Sequence, residues 1–98
     1  MKPKEVESKL QNKFGFQPAL HHSEDHRWYE LQLPNLPPIL TKVSHQRNDL
    51  SPNIEGKIAR QLRVRKIIFK GMIDCTVGQE DYYQKIRTEP FPPFDISF

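Results

Sequence analysis

Imidazole is the side chain best matched to proton transfer near neutral pH, with an unperturbed pKa of about 6.5. This chain has four histidines, and two of them stand at the ends of strand-like runs. His26 opens the alternating run His26-Arg27-Trp28-Tyr29-Glu30-Leu31-Gln32-Leu33, and His45 closes a second run that begins at Ile39. An imidazole so placed can serve as general base or general acid toward a bound substrate. Arg27, Lys42 and Arg47 lie in the same stretch and are suited to neutralising an anion. Glu24 or Asp25, beside His26, can orient the imidazole or raise its pKa. His21-His22 reads as a surface pair. A metal set drawn from His21, His22, His26 and Asp25 fits no established ligand spacing, so neither a metal site nor a cofactor is expected. Cys75, the single cysteine, ends an apolar helical segment with no evident basic neighbour and reads as structural.

The elements that must position these groups follow from periodicity. Val6, Leu10 and Phe14 recur at every fourth position, which predicts an amphipathic helix over 4–14, with Pro3 tolerated before it and Gly15 ending it. Residues 16–22 read as a short extended segment, and Pro18 places it at a sheet edge. Ser23-Glu24-Asp25 reads as a turn. In 26–33 the more apolar set is Tyr29, Leu31 and Leu33, expected on the core face, which puts Trp28 on the face of His26. Pro34-Asn35-Leu36-Pro37-Pro38 is a stiff connection to the strand 39–44. Ser51 caps a helix over 52–62, with Pro52 in its first position and Ile54, Ile58 and Leu62 on its apolar side. Residues 65–75 read as helix through Ile68, Phe69, Met72 and Ile73, with Gly71 counting against it by about 1 kcal/mol. Thr76 and Gln79 have capping-box spacing for a last helix bearing Tyr82, Tyr83 and Ile86. The expected fold class is α+β: helix, three-stranded antiparallel sheet, helix, with helices 4–14 and 52–62 on one face and further helices behind them. The proline-rich tail, 88–98, is expected to run extended across the domain through its phenylalanines.

Composition narrows the class. Ninety-eight residues suit one domain, and 36% hydrophobic against 28% charged residues implies a modest core. No apolar run approaches the ~18 residues a membrane span needs. The first residues lack the apolar stretch of a signal peptide. One cysteine excludes an internal disulfide and suits a reducing compartment, so a cytoplasmic location is expected. The net charge of +3 is unevenly spread. Lys57, Arg60, Arg63, Arg65, Lys66 and Lys70 lie within 57–70, where no acidic residue occurs. Such an island is either a solvated helix face or a nucleic-acid contact.

The first 62 residues resemble the HicA (YcfA-like) family of bacterial toxin ribonucleases, which share the fold of double-stranded-RNA-binding domains. The resemblance rests on Glu5, Val6 and Leu10 in the first helix, on Gly15-Phe16, and on Ser23-Glu24-Asp25-His26 before an aromatic strand. It continues through Val43-Ser44-His45 and through Leu50-Ser51-Pro52 before a helix with Ile58 and Leu62. It implies a HicA-like domain over 1–62, a helical extension over 63–87 and a tail over 88–98. By the same resemblance His26 matches the family's catalytic histidine and His45 a second recurrent histidine. The turn here carries Glu24-Asp25 where the family has glycine, and Ser44 replaces a usual proline.

The implied activity is metal-independent cleavage of messenger RNA, and the implied partners are RNA and an antitoxin protein. That chemistry needs a base for the 2′-hydroxyl, an acid for the leaving 5′-oxygen, and cations for the charge that builds at phosphorus. Arg27, Lys42, Arg47, Lys57 and Arg60 are the expected RNA-contacting cations, and Trp28 can stack a base. Two alternatives stand beside it. Residues 58–73 resemble a helix-turn-helix, with Arg65, Lys66 and Lys70 on a DNA-reading helix and Arg63 at the turn position that favours glycine. The chain can also be an RNA- or protein-binding module without catalysis.

Overall fold

The computed structural model describes residues 1–23, 26–44 and 46–88, with residues 20–23 described by backbone alone. Glu24, Asp25, His45 and the tail 89–98 lie outside the described residues, and so do the expectations placed on them. Among the described residues the elements run α1 (Pro3–Asn12), β1 (Gln17–Ser23), β2 (His26–Leu31), β3 (Ile39–Ser44), α2 (Pro52–Gln61), α3 (Lys66–Ile73) and α4 (Gln79–Thr88). The strands form one antiparallel sheet in the order β1-β2-β3, which makes this an α+β fold. Pro18 does lie in an edge strand, where its missing N–H removes no central ladder bond. No described helix is long and apolar enough to cross a membrane.

The pleat sorts the strand residues into two faces. Along β3, buried Ile39, Thr41 and Val43 alternate with half-buried Leu40, Lys42 and Ser44. Along β2, Tyr29 and Leu31 are buried while His26, Trp28 and Glu30 are half-buried. The register pairs His26 with Ser44, Trp28 with Lys42 and Glu30 with Leu40. Directly opposed residues share a face, so these six line the side of the sheet turned away from the core. β2 ends at Leu31, two residues short of the alternation in the sequence. Pro34 and Asn35 cause this: Leu36 N donates to Leu33 O at 3.3 Å across a turn in which Asn35 has φ 65°.

Both α1 and α2 pack on the core face. The Tyr29 hydroxyl donates to Glu7 Oε1 of α1, and Thr41 Oγ1 donates to Gln61 Oε1 of α2 at 2.7 Å. Lys42 N donates to the same glutamine oxygen at 3.1 Å, which satisfies an edge-strand donor that has no strand beside it. Val6, Leu10, Phe14, Phe16, Ile58, Leu62, Phe69, Met72 and Tyr82 continue the core between the helices. Tyr82 is fully buried, sits edge-on to Phe14 at 5.6 Å, and donates to Leu62 O at 3.0 Å.

Helix ends follow local chemistry. Ser51 Oγ accepts from Ile54 N at 3.2 Å at the start of α2, with Pro52 in the first turn. α2 closes with Val64 N on Ala59 O and Arg63 N on Arg60 O, both at 3.0 Å, and Arg63 takes φ 65°. That is a Schellman motif with arginine in the position glycine usually fills. α3 ends similarly, with Thr76 N on Gly71 O at 2.9 Å and Cys75 at φ 67°. Thr76 therefore completes α3 and does not cap the next helix. Its hydroxyl lies 3.3 Å from Gly71 O, and α4 begins at Gln79. The reciprocal contact at the start of α4 is Gly78 N donating to Asp81 Oδ2 at 3.2 Å. Gly71, unfavourable in a helix by propensity, is needed by this ending. A Cβ there would lie 2.7 Å from Val77 Cγ2 and 2.9 Å from Thr76 Oγ1, so only glycine lets the chain fold back.

Candidate functional site

His26 is the first residue of β2, half-buried on the face away from the helices. Two residues along the strand, on the same face, is Trp28. Its cross-strand partner Lys42 places Nζ 5.5 Å from the indole centroid. That contact is a cation–π pair. Burial, and the ammonium of Lys57 from α2, hold the Lys42 amine below the usual lysine range. So the structure brings His26, Trp28 and Lys42 onto one surface and sets Lys57 close enough to repel Lys42. The cause is the strand period of two together with the contact of α2 with the β3 edge through Gln61.

The other expected contacts lie elsewhere. Arg27 alternates to the helix side, where Nη1 is 3.3 Å from Glu7 Oε1. Its side chain remains 53% exposed, so the guanidinium reaches solvent while anchored at one edge. Arg27 and Arg47 line a shallow recess with Lys4, Glu7, Ser44 and Gln46. Arg60 is exposed on α2. The expected RNA contacts therefore divide between the two sides of the sheet rather than forming one patch.

The helix-turn-helix reading meets a specific neutralisation. Glu55 is buried in α2, and its Oε1 lies 3.9 Å from Lys66 Nζ and 4.0 Å from Lys70 Nζ. Arg65 and Ile67 are exposed, Ile67 at 74%. Two of the three cations assigned to a reading helix thus face a carboxylate of their own domain.

Three features escaped the sequence reading. Glu7 is buried between Tyr29 and Arg27, and burial and its carboxylate push the Tyr29 phenol up. The helical repeat carries the signal: Glu7 follows Pro3 by four and precedes Leu10 by three, which is a core-facing position. Gln61 sits three residues after Ile58 and is core-facing for the same reason. Cys75 is exposed and does have basic partners, contrary to the expectation from sequence. Lys9 Nζ lies 3.2 Å from Sγ, and Lys9 and then Lys13 lower the thiol pKa. A contact between residues 66 apart has no signal in sequence spacing.

Among the described residues no group of three or more His, Cys, Asp and Glu side chains is arranged to hold a metal ion. The side chains of His21 and His22 lie outside this description. Comparison of the chain with protein-family models, with curated proteins and with solved structures finds no match in any of the three.

Proposed function

We propose that this chain is a HicA-like RNA-binding protein that cleaves messenger RNA without a metal, using His26. In this reading the helix–three strands–helix order is a double-stranded-RNA-binding-domain-like arrangement. One observation carries it: a histidine at the head of the central strand shares a face with an aromatic ring and with a lysine stacked on that ring. His26 removes the proton of a 2′-hydroxyl, that oxygen attacks the adjacent phosphorus as the bond from phosphorus to the 5′-oxygen breaks, and the 5′-oxygen leaves with a proton taken from solvent water. The products are a 2′,3′-cyclic phosphate and a 5′-hydroxyl. Lys42 supplies positive charge where the phosphorane charge develops. A protein antitoxin that covers this face is the partner the reading implies, and the cytoplasm is the compartment.

DNA binding by α2 and α3 is the second reading. The tight turn at Arg63 and the exposed Arg65 favour it, and the Glu55 pairing of Lys66 and Lys70 opposes it.

The test is cleavage of labelled RNA by purified protein in excess chelator, wild type beside His26→Ala. General acid–base catalysis by one residue contributes about 10²–10⁴-fold, so the variant should lose cleavage to that extent. His26 is half-buried at a strand start, and its loss should leave the thermal midpoint nearly unchanged. A His26→Ala protein that cleaves at the wild-type rate refutes the assignment.

A further inference from the structure

We infer that the recess between the start of α1, Arg27 of β2 and the loop after β3 is a binding site for a phosphate group, held by Lys4, Arg27 and Arg47. The site lies away from the Trp28 face, so the inference stands or falls apart from the nuclease reading.

The wall of the recess sets its charge. Lys4, Arg27 and Arg47 line it, and Glu7 is the one carboxylate among its described lining residues. Three cations against one buried acid leave the recess electropositive. No ion pair joins Lys4 or Arg47 to another described residue. The recess has a volume of about 130 Å³, which takes several waters or one phosphate group in their place.

Two of the cations are held in position. Arg27 Nη1 lies 3.3 Å from Glu7 Oε1, and the Tyr29 hydroxyl donates to the same oxygen. A guanidinium carries five N–H donors, so this single contact fixes Arg27 while most of its fork stays open to an anion. Its side chain is 53% exposed. Arg47 stands in a loop closed by Gln46, whose Nε2 donates to Asn48 O at 3.2 Å and to Asp49 O at 3.0 Å. Ser44 Oγ donates to Gln46 Oε1 at 2.7 Å and ties that loop to β3.

The third cation comes from α1, and the same loop fastens it. Leu50 N donates to Met1 O at 2.9 Å, and Lys2 Nζ lies 3.0 Å from Asp49 Oδ1. Lys4 sits in the first turn of α1, where the helix dipole disfavours a cation. An anion in the recess would offset that repulsion as well as pair with the three side chains. Because the anchors exist before any ligand arrives, little ordering is left for binding to oppose.

A phosphate can reach the recess on an RNA strand or on a small phosphorylated compound. Ser44, which lines the recess, is the cross-strand partner of His26, so the site adjoins the end of the sheet where the imidazole stands.

The test follows backbone amides of the full chain by nuclear magnetic resonance at constant ionic strength. Inorganic phosphate is the first probe. It should shift the amides of Lys4, Glu7, Gln46 and Arg47 saturably. Lys4→Gln with Arg47→Gln should raise the half-saturating concentration about tenfold and leave the thermal midpoint nearly unchanged, since both side chains are exposed. Arg65→Gln, which removes an exposed cation from α3, should change it less than about twofold. Shifts confined to other residues, no saturable shift, or an equal effect of Arg65→Gln would each overturn the inference.

The second probe is a uridine decamer with every 2′-hydroxyl methylated and no terminal phosphate. Shifts of the same amides by the decamer support the site and make an RNA strand the source. Shifts by phosphate alone support the site and assign it to small phosphorylated compounds. Cleavage of RNA in chelator is scored separately: it can persist with a silent recess or be absent with a responsive one.

Discussion

Gln61 is the residue whose substitution tests the fold logic most directly. Its side-chain oxygen is the acceptor for two donors at once, the Thr41 hydroxyl at 2.7 Å and the Lys42 backbone N–H at 3.1 Å. Thr41 is fully buried and Gln61 is 6% exposed, so water cannot easily replace either group at the hydroxyl. Gln61→Leu removes the acceptor and leaves both donors unpaired. An orphaned buried polar group costs about 1–3 kcal/mol, and the Lys42 N–H, at a partly buried edge, should fall at the low end. We expect a loss of about 3 kcal/mol, which for a domain of this size lowers the thermal midpoint by roughly 10–25 °C. Thr41→Val alone removes one donor while Lys42 N–H still occupies the glutamine, so its loss should be about 1 kcal/mol. In the double variant the hydroxyl that was orphaned no longer exists. The double variant should therefore lose about 2 kcal/mol, less than Gln61→Leu by itself, giving a coupling energy of about 2 kcal/mol. Urea unfolding of the four proteins, followed by circular dichroism, measures the cycle. Additivity within about 0.5 kcal/mol would refute the shared-acceptor argument.

Burial pushes the phenols of Tyr29, Tyr82 and Tyr83 up, with the Glu7 carboxylate adding to the shift at Tyr29. A raised phenol pKa favours the neutral form in the folded chain, so this contribution to stability is complete below about pH 10 and is lost as pH rises beyond it. Tyrosinate absorbance at alkaline pH should show Tyr29 and Tyr82 ionising only with unfolding, and their titration near pH ~10 in folded protein would refute the packing described for them. Cys75, acidified by Lys9 and Lys13, should alkylate with a pH midpoint below that of an unperturbed thiol, and Lys9→Ala should raise that midpoint. Alanine at both Lys66 and Lys70 should leave RNA affinity within about twofold, because both ammoniums are held beside Glu55; a tenfold fall would move the interface to α3.

The fold was largely legible because its elements are signalled by short-range rules. The repeat of Val6, Leu10 and Phe14, the alternation around Tyr29 and Leu31, and Ser51-Pro52 each specify a local conformation, and the core lies where these patterns point. Legibility failed where two local signals compete. Thr76 can cap a following helix or finish a preceding one, and the left-handed Cys75 before it decides for the second. It also failed for polar residues in core-facing positions. Glu7 and Gln61 look like ordinary surface residues until Tyr29 and Thr41 arrive from the sheet to partner them. At the candidate site the strand period sufficed to put His26 and Trp28 on one face. The influence of Lys57 on Lys42 required the tertiary packing of α2 against the β3 edge.

The same packing changes what the basic island of 57–70 means. Read along the chain, six cations without an acid look like a single electropositive stripe. Folding distributes them. Arg63 sits in the left-handed turn after α2, and Lys66 and Lys70 share the buried Glu55, which lies just before the island begins. An acid outside the counted window thus offsets one of the six charges that the window displays and holds two of the lysines beside it. A helix that reads a DNA groove needs its cations directed outward along one face. What the fold gathers instead is a smaller group on the sheet, Lys42 over Trp28 with His26 on the same face, built from β2 and β3. Charge density along the chain therefore overstates the charge that α2 and α3 turn outward. The aromatic strand, where a ring, an imidazole and a lysine share one face through register, is the surface on which the proposed RNA chemistry depends.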